Sequence, residues 1–311
     1  MTSGLQTVSP ASGGLAAGLW DRLRRGKAGP VAVVCLAILV IWYAGAVYLN
    51  SAQLIDRYGR QKIDWTASRL IADAWSMKRP VLPAPHQILA DLDSSILKQR
   101  LTSKRNLAYH AWVTLSSTLV GFVMGTALGI ALAVGIVHVR TLDRSLLPWI
   151  IASQTVPILA IAPMVIVILG NAGFTGLVPK SIISMYLCFF PVAIGMVKGL
   201  RSPDRLQLDL MRTYSATPLQ VFTRLRWPSS APYLFASLKV AIAISLVGAI
   251  VGELPTGAQA GLGARMLVGS YYGQTVQIWS ALIVAALLAG AMVGVIGMVE
   301  RVILRRAGLT G

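Results

Sequence analysis

The chain of 311 residues is 55% hydrophobic and only 13% charged, with a mean hydropathy of +0.68, which excludes an ordinary soluble domain of this length. Its formal net charge of +17 would indicate a nucleic-acid partner in a soluble protein, but basic loops also orient membrane helices. The composition therefore predicts an integral membrane protein, in which the positions of Lys and Arg decide what the charge means.

The N-terminal end combines a polar lead with an apolar run. Residues 1–20 carry no charge and are rich in Ser, Gly, Thr and Ala, and four basic residues follow them. This composition predicts a disordered, basic lead over residues 1–29. The run at 30–49 lacks an A-x-A cleavage site and has about the 20 residues that a bilayer requires, which favours a first transmembrane helix over a signal peptide.

Apolar runs long enough to cross about 30 Å of hydrocarbon occur six times. They lie near residues 30–49, 110–137, 146–170, 180–199, 233–252 and 276–299. The third and fourth runs are separated only by a Gly-rich stretch that ends in Val178-Pro179-Lys180. The sequence thus predicts an all-α integral membrane protein with about six transmembrane helices.

The basic residues indicate the orientation of these spans. With the N-terminus inside, most Lys and Arg fall in inner segments, whereas the short outer segments hold only Lys180 and Arg265. We therefore expect both termini in the cytoplasm. Residues 50–107, which this topology places outside, carry ten Lys or Arg, and long loops can cross regardless of charge. This amphipathic segment contains the apolar residues Ile63, Leu70 and Ile71. They are compatible with either an interfacial helix or a solvated helix packed on the outer face of the protein.

Small and sulfur-containing residues in the spans predict close packing. Gly121, Gly125 and Gly129 share one face of the second span, where helix backbones can approach closely. Gly290 and Gly294 predict the same in the last span. Both cysteines, Cys35 and Cys188, lie in apolar runs, so we expect small buried hydrophobic side chains rather than a disulfide.

Two prolines, Pro157 and Pro163, should bend the third span. A bend frees backbone carbonyls, which in a transporter can line a cavity. Gln154 is the polar residue nearest to it, and a buried Gln that bonds across helices is an equally good interpretation.

Several kinds of chemistry are not supported by the sequence. It contains no G-x-x-x-x-G-K-[ST], so we expect neither ATP hydrolysis by this chain nor a cofactor of its own, and it contains no H-E-x-x-H or G-x-S-x-G. His86, His110 and His138 are too far apart in sequence to predict a metal site. No acidic or His residue lies near the centre of a span, which argues against ion coupling.

The loop between the fourth and fifth spans predicts two short helices. The first is expected to begin at Ser202-Pro203 and to end near Ser215-Ala216. Thr217-Pro218, with Gln220 at the capping-box position, should begin the second, in which Leu219, Phe222 and Leu225 face one way. Trp227-Pro228 is expected to close it. Such a capped pair predicts a rigid protrusion, whereas a simple connection between two spans could be a few flexible residues.

This loop resembles the cytoplasmic EAA loop of ABC importer permeases, whose pattern is E-A-A-x-x-x-G followed by a hydrophobic-Pro pair. Aligned on Trp227-Pro228, the family's glycine falls on Ser215 and its E-A-A on Asp209, Leu210 and Met211. Only the acid is retained. The stretches "VLPAPHQILADL", "SQTVPILAIAPMVIVILG", "CFFPVAIGMVKGLRS", "YLFASLKVAIAISLVGAIVGE" and "GLGARML" also look like the nitrate, sulfonate, taurine and pyrimidine-precursor branch, in order from about residue 80 onward.

The resemblance implies a type I (MetI-like) permease core in spans 2–6, here residues 108–306, with a coupling loop at 200–230, a tail at 307–311 and an extra N-terminal helix. It implies a bacterial inner-membrane importer in which two permease subunits enclose the path. Two cytoplasmic ATPases bind the ATP, and an extracytoplasmic binding protein delivers the solute. Substrate identity and the choice between a homodimer and a heterodimer stay open.

The resemblance implies one set of functional residues, and the predicted spans offer a second set of candidates. The residues expected to dock on the ATPase are Asp209, Leu210, Met211, Arg212, Ser215, Ala216, Thr217, Pro218 and Phe222. Those expected along the translocation path are Gln154, Thr155, Pro157, Phe189, Phe190, Ser245 and Glu253. Helix packing explains most of the second set equally well, and Glu253 would alternatively pair with Arg265 beside a Gly-rich loop.

Other functions remain open. An ATPase-independent secondary carrier or channel would take up solute without a partner, and a membrane scaffold would need no nucleotide. The basic loop could also serve topology alone. Phe189-Phe190 and the expected lack of a fixed positive charge at mid-membrane favour a neutral, flat organic solute over nitrate, alkylsulfonates or taurine.

Overall fold

The computed structural model describes residues 28–100, 103–255, 260–306 and 308. The predicted lead at 1–29 and the tail at 307–311 therefore lie almost entirely outside the described residues. The chain divides into two compact units, unit 1 (residues 1–87) and unit 2 (residues 88–311).

Every regular element in the described part of the chain is helical. The first three are α1 (Ala28–Gln61), α2 (Ala67–Ser76) and α3 (Pro85–Leu92). Unit 2 continues with a π-helical turn (Asp93–Leu97), α4 (Leu107–His138), α5 (Arg140–Ser153), α6 (Ile158–Asn171), α7 (Leu177–Leu200) and α8 (Arg205–Thr213). It ends with α9 (Pro218–Val221), a π-helical turn (Phe222–Arg226), α10 (Trp227–Val251), α11 (Leu262–Tyr271) and α12 (Thr275–Arg306).

The membrane spans agree with the predicted fold class. Among the described residues, five helical stretches are long and apolar enough to cross a bilayer, and the bent pair of α5 and α6 would be the sixth. The chain is thus an all-α protein with five or six apolar spans, as the hydropathy pattern predicts.

The third span is broken rather than gently bent. The axes of α5 and α6 differ by 98°, and the break runs from Gln154 to Pro157, the residue that caps α6. Proline has no N–H to continue a helix, which explains the position of the break. Pro163 lies inside α6, so it is not the site of the break. The single span expected at 146–170 is therefore two helices, the first beginning at Arg140.

Unit 1 is a long helix with a shorter one packed on it. The helix expected at 30–49 continues to Gln61. Asn50 is fully buried; its amide donates to the carbonyls of Ala74 (3.3 Å) and Leu82 (3.0 Å), and its Oδ1 accepts from the N–H of Val81 (2.7 Å). These bonds hold residues 74–82 against α1. The interfacial role of α2 stays a prediction.

The core of unit 2 is built by close contact of α4 with α7. A Cβ on Gly121, Gly125 or Gly129 would approach atoms of α7 to under 3.0 Å, which confirms the predicted packing face. The same prediction for Gly290 and Gly294 is wrong for the described part of the chain, because none of its atoms lies within 4 Å of a Cβ at either position. Likewise Cys188 is buried between these helices as expected, whereas Cys35 is exposed.

An ion pair inside the helical bundle corrects a further expectation. Lys239 lies at the midpoint of α10 and forms a salt bridge with Glu300 of α12; their side chains are 35% and 19% exposed. The sequence was expected to place no fixed positive charge at mid-membrane. A partner on another helix neutralises the lysine and makes its position in an apolar span tolerable.

Candidate functional site: a capped two-helix segment and a buried carboxylate

Residues 204–226, the two-helix segment, connect α7 to α10. Its first helix begins at Arg205, where the Asp204 carboxylate accepts from the Arg205 N–H (2.6 Å) and Gln207 Oε1 accepts from the Asp204 N–H (3.1 Å). This capping box, rather than the expected Ser202-Pro203 pair, begins the helix, because its side chains satisfy N–H groups that have no partner inside the helix.

The first helix ends in a tight turn centred on Ser215. The N–H of Ser215 bonds to the carbonyl of Arg212 (2.8 Å), and the N–H of Ala216 bonds to that of Met211 (2.9 Å), which together form a Schellman motif. Ser215 has a φ of +51°, a conformation that favours glycine. This is the position on which the glycine of the EAA pattern aligns, so the backbone keeps the shape of that motif although the glycine is replaced.

Replacing Ser215 with glycine is expected to stabilise the turn by about 1 kcal/mol, because glycine adopts a positive φ without steric strain. Amide hydrogen exchange over residues 205–221 should become slower. Ser215→Ala is the control, since alanine retains the steric strain. Equal or faster exchange in the glycine variant would contradict the assignment of strain to this residue.

The second helix begins as predicted but does not end as predicted. Thr217 Oγ1 accepts from the Gln220 N–H (3.3 Å), and Gln220 Oε1 accepts from the Thr217 N–H (2.8 Å), which confirms the capping box. The helix then continues into α10 without a break at Trp227-Pro228. In the π-helical turn the Trp227 N–H bonds to the carbonyl of Phe222, so the chain passes the proline with only a local widening.

The two-helix segment carries apolar side chains that this chain leaves uncovered. Leu206, Leu210, Tyr214 and Leu219 are 56–77% exposed. Clustered apolar side chains on an exposed segment mark interaction surfaces. Phe222 instead points back to the bundle, with its ring 5.3 Å from that of His138, so Leu219 and Phe222 do not share one environment.

The structure places the other residues expected to dock on the ATPase within the same segment. Arg212 and Asp209 form an exposed ion pair one turn apart (3.1 Å). Met211 and Ala216 are half-buried, and Thr217 and Pro218 are exposed. The docking role of this set stays a prediction.

Six of the seven residues expected along the path fall into three places. Gln154, Thr155 and Pro157 lie at the break between α5 and α6, where Gln154 Nε2 donates to Ser153 Oγ (3.3 Å). Phe189 is buried in the hydrophobic core and Phe190 packs beside it. Ser245 is fully buried, and its hydroxyl donates to the carbonyl of Thr118 (3.0 Å). Their role in a path remains untested.

Glu253, the remaining path candidate, is fully buried just beyond the end of α10. Its carboxylate accepts from Thr114 Oγ1 (3.0 Å), Lys180 Nζ (3.4 Å) and the Gly263 N–H (2.9 Å). These four residues, with Gly261, form the Glu253 cluster; a Cβ on Gly261 would collide with the carboxylate. The cluster thus joins α4, α7, α10 and α11, and the expected pairing with Arg265 is replaced by one with Lys180.

Further bonds fix the residues that approach this carboxylate. The N–H of Gly261 donates to His110 Nδ1 (3.0 Å), the N–H of Leu262 donates to Thr114 Oγ1 (2.8 Å), and Lys180 Nζ donates to the carbonyl of Ala260 (2.7 Å). Burial raises the pKa of Glu253 to about 6, and Lys180 and the Gly263 N–H oppose this rise. The distance of 3.4 Å between Lys180 Nζ and Glu253 Oε1 makes the two side chains a buried ion pair.

Sequence reasoning missed Thr114 and Lys180 as members of this cluster. One signal was available: His110, Thr114 and Thr118 recur every fourth residue and extend the face of Gly121 toward the start of α4. Polar residues on a close-packing face of an apolar helix commonly bond to a neighbouring helix.

The comparison with protein families decides the identity. Residues 125–307, more than half of the chain, match the binding-protein-dependent transport system inner membrane component. The chain belongs to this family. It is the membrane-spanning permease subunit of an ABC importer, a class that works with partner ATPases and a binding protein.

Individual relatives support this assignment. The permease is 32% identical over 186 residues to the formylaminopyrimidine transport permease protein ThiX of Halalkalibacterium halodurans, covering 59% of this chain and 68% of the relative. It is 30% identical over 196 residues to the riboflavin transport system permease protein RibX of Chloroflexus aurantiacus, covering 63% and 71%. A solved inward-facing structure of the MetNI methionine ABC transporter superposes with a TM-score of 0.55 at 19% identity, covering 63% of this chain and 95% of that one, and it shows the fold alone.

Proposed function

We propose that this permease is driven by a cytoplasmic ABC ATPase dimer that docks on the two-helix segment. A second permease copy or a paralogue completes the path, and both termini face the cytoplasm. The observation that carries the proposal is a capped, stiff segment with exposed apolar side chains at Leu206, Leu210 and Tyr214. The ATP belongs to the partner, since this chain has no P-loop.

The continuity of α9 with α10 explains how a movement of the ATPases would reach the path. The chain is helical from Pro218 to Val251 through the π-helical turn. Closure of the ATPase dimer on ATP would displace the two-helix segment, and α10 would move with it as one body. Nucleotide then biases the permease between inward-open and outward-open states.

The solute that we propose is a small, flat, neutral organic molecule of the pyrimidine-precursor kind, delivered by an extracytoplasmic binding protein. The names of the two relatives, formylaminopyrimidine and riboflavin permeases, favour this class. Lys239, at the midpoint of α10, is neutralised by Glu300 and so provides no free cation for nitrate or a sulfonate.

Replacing Leu210 and Tyr214 together with alanine is expected to lower solute-stimulated ATP hydrolysis about tenfold or more, because buried aromatic and aliphatic anchors dominate interface energies. The measurement is ATPase activity of the reconstituted importer with loaded binding protein. Leu287→Ala, which removes a 68% exposed leucine from α12, is the matched control and should have little effect.

A cysteine at Ala216 should in addition form a disulfide with a cysteine in the docking groove of the ATPase. Undiminished stimulation in the double variant, together with no cross-link, would reject the docking surface. Uptake that proceeds in vesicles without any ATPase would instead support a secondary carrier, which the ionisable pairs Lys239–Glu300 and Lys180–Glu253 would favour.

A further inference from the structure

A cavity of about 640 Å³ opens at the end of unit 2 that contains the Glu253 cluster. Its walls are formed by the first turns of α4, the connection between α6 and α7, and the residues that follow α10. This volume lies within the range of small-molecule binding sites. The residues described in its wall include three aromatic side chains, Tyr109, Trp112 and Phe174.

The aromatic rings are available to a ligand. Trp112 is 66% exposed and Phe174 is 52% exposed, and they come from different elements, α4 and the α6–α7 connection. Two hydroxyl groups, those of Ser116 and Thr175, also line the cavity. Aromatic walls with a few hydrogen-bonding groups favour a flat ring that carries polar substituents.

The cavity presents no free positive charge among its described residues. Lys180 is the only charged residue in the described wall, and its side chain is 8% exposed. Its ammonium group donates to Glu253 Oε1 (3.4 Å) and to the carbonyl of Ala260 (2.7 Å). Glu253, which is not part of the described cavity wall, therefore neutralises Lys180. An anion that entered the cavity would lose its hydration and would find no free cation in exchange.

We propose that this cavity binds a flat, neutral heteroaromatic solute as it enters the permease, with the ring against Trp112 and Phe174. Glu253 acts as a positioning residue, because it holds Lys180 out of the cavity and so keeps the site neutral. The inference rests on the proposed import function and adds to it a contact site for the solute.

The test uses nicotinamide and nicotinate, which have the same ring and nearly the same size but differ in charge. Their binding to the permease–ATPase complex in phosphatidylcholine nanodiscs is measured by saturation-transfer NMR titration, without a binding protein. Nicotinamide should bind at least about fivefold more tightly, since removing the hydration of a carboxylate costs far more than removing that of a neutral amide when no cation replaces the water.

Removing the aromatic wall should weaken nicotinamide binding at least about fivefold in both Trp112→Ala and Phe174→Ala, the loss expected for one stacked ring. Trp149→Ala is the matched control. It removes a tryptophan of α5 that is 75% exposed and lies outside the cavity wall. The affinity of this variant for nicotinamide should therefore equal that of the native complex.

Adding a charge tests the neutral selectivity without disturbing the Glu253 cluster. Thr175→Lys places a cation in the wall and should favour nicotinate over nicotinamide, whereas Ala172→Lys adds the same charge in the same connection but outside the wall and should keep the native preference. A merely structural disturbance would weaken both probes together.

Three results would overturn the proposal: equal affinity of the native complex for the two probes, unchanged affinity in both aromatic variants, or a cysteine at Phe174 that a maleimide cannot reach in the intact importer. The last would mean that a partner chain fills the cavity. These measurements do not depend on ATP hydrolysis, so a result that overturns the cavity proposal would not affect the proposed docking of the ATPase. Equally, a result that overturns the docking would not affect the cavity proposal.

Discussion

Replacing Glu253 with alanine is expected to lower the free energy of unfolding of the permease by about 3–5 kcal/mol, the loss typical of breaking a buried ion pair. The variant leaves the buried Lys180 ammonium without its counter-charge. It also removes the acceptor for Thr114 and for the Gly263 N–H. The measurement is the thermal unfolding of the purified permease in detergent.

A second substitution distinguishes the cost of the unpaired Lys180 ammonium from the cost of the lost hydrogen bonds. In Lys180→Met/Glu253→Ala the unpaired ammonium is gone, so part of the lost stability should return. Asp209→Ala is the matched control, because it breaks the ion pair with Arg212 on the two-helix segment, whose side chains are 62% and 82% exposed, and it should cost much less. If the double variant were no more stable than the single one, the buried charge would not be the cause.

Replacing Gly121 with leucine is expected to prevent the normal packing of α4 on α7, with a loss of stability of about 3 kcal/mol or more. Even a Cβ at this position would approach the Ser181 carbonyl oxygen and the Ser184 side chain to under 3.0 Å. A backbone oxygen cannot rotate away, so the helices would have to separate. Size-exclusion chromatography and thermal unfolding in detergent report the outcome.

The same substitution at Gly290 provides the comparison. No atom of the described residues lies within 4 Å of a Cβ there, so Gly290→Leu should leave the fold of the monomer intact. Similar losses in the two variants would show that the cost arises from helix propensity or membrane insertion, and the assigned packing face would fail.

The loop between the fourth and fifth spans shows how far local sequence information extends. Thr217, Pro218 and Gln220 predict a helix start correctly, because a capping box needs only side chains three residues apart. The end of that helix was predicted wrongly. Trp227-Pro228 indicates a stop locally, but packing of α10 on the bundle and a π-helical turn carry the helix through.

The glycines also show that two residues with the same local sequence pattern can have different three-dimensional environments. Gly121 and Gly290 both occur in G-xxx-G patterns in apolar helices, and the sequence assigns them one role. Among the described residues, a neighbouring helix packs against Gly121 but not against Gly290. Spacing determines which residues share a helix face, but not which helix that face meets.

The sequence by itself determined that this protein is a helical membrane protein, where its apolar spans lie and that it resembles an importer permease, since hydropathy, helix caps and motifs depend on neighbours along the chain. Only the tertiary structure decided that Glu253 binds Lys180 rather than Arg265, that Lys239 meets Glu300, and that Trp112 and Phe174 line one cavity. These pairs are separated by tens of residues, and a buried charge takes whichever partner the packing of the helices brings within a few ångströms of it.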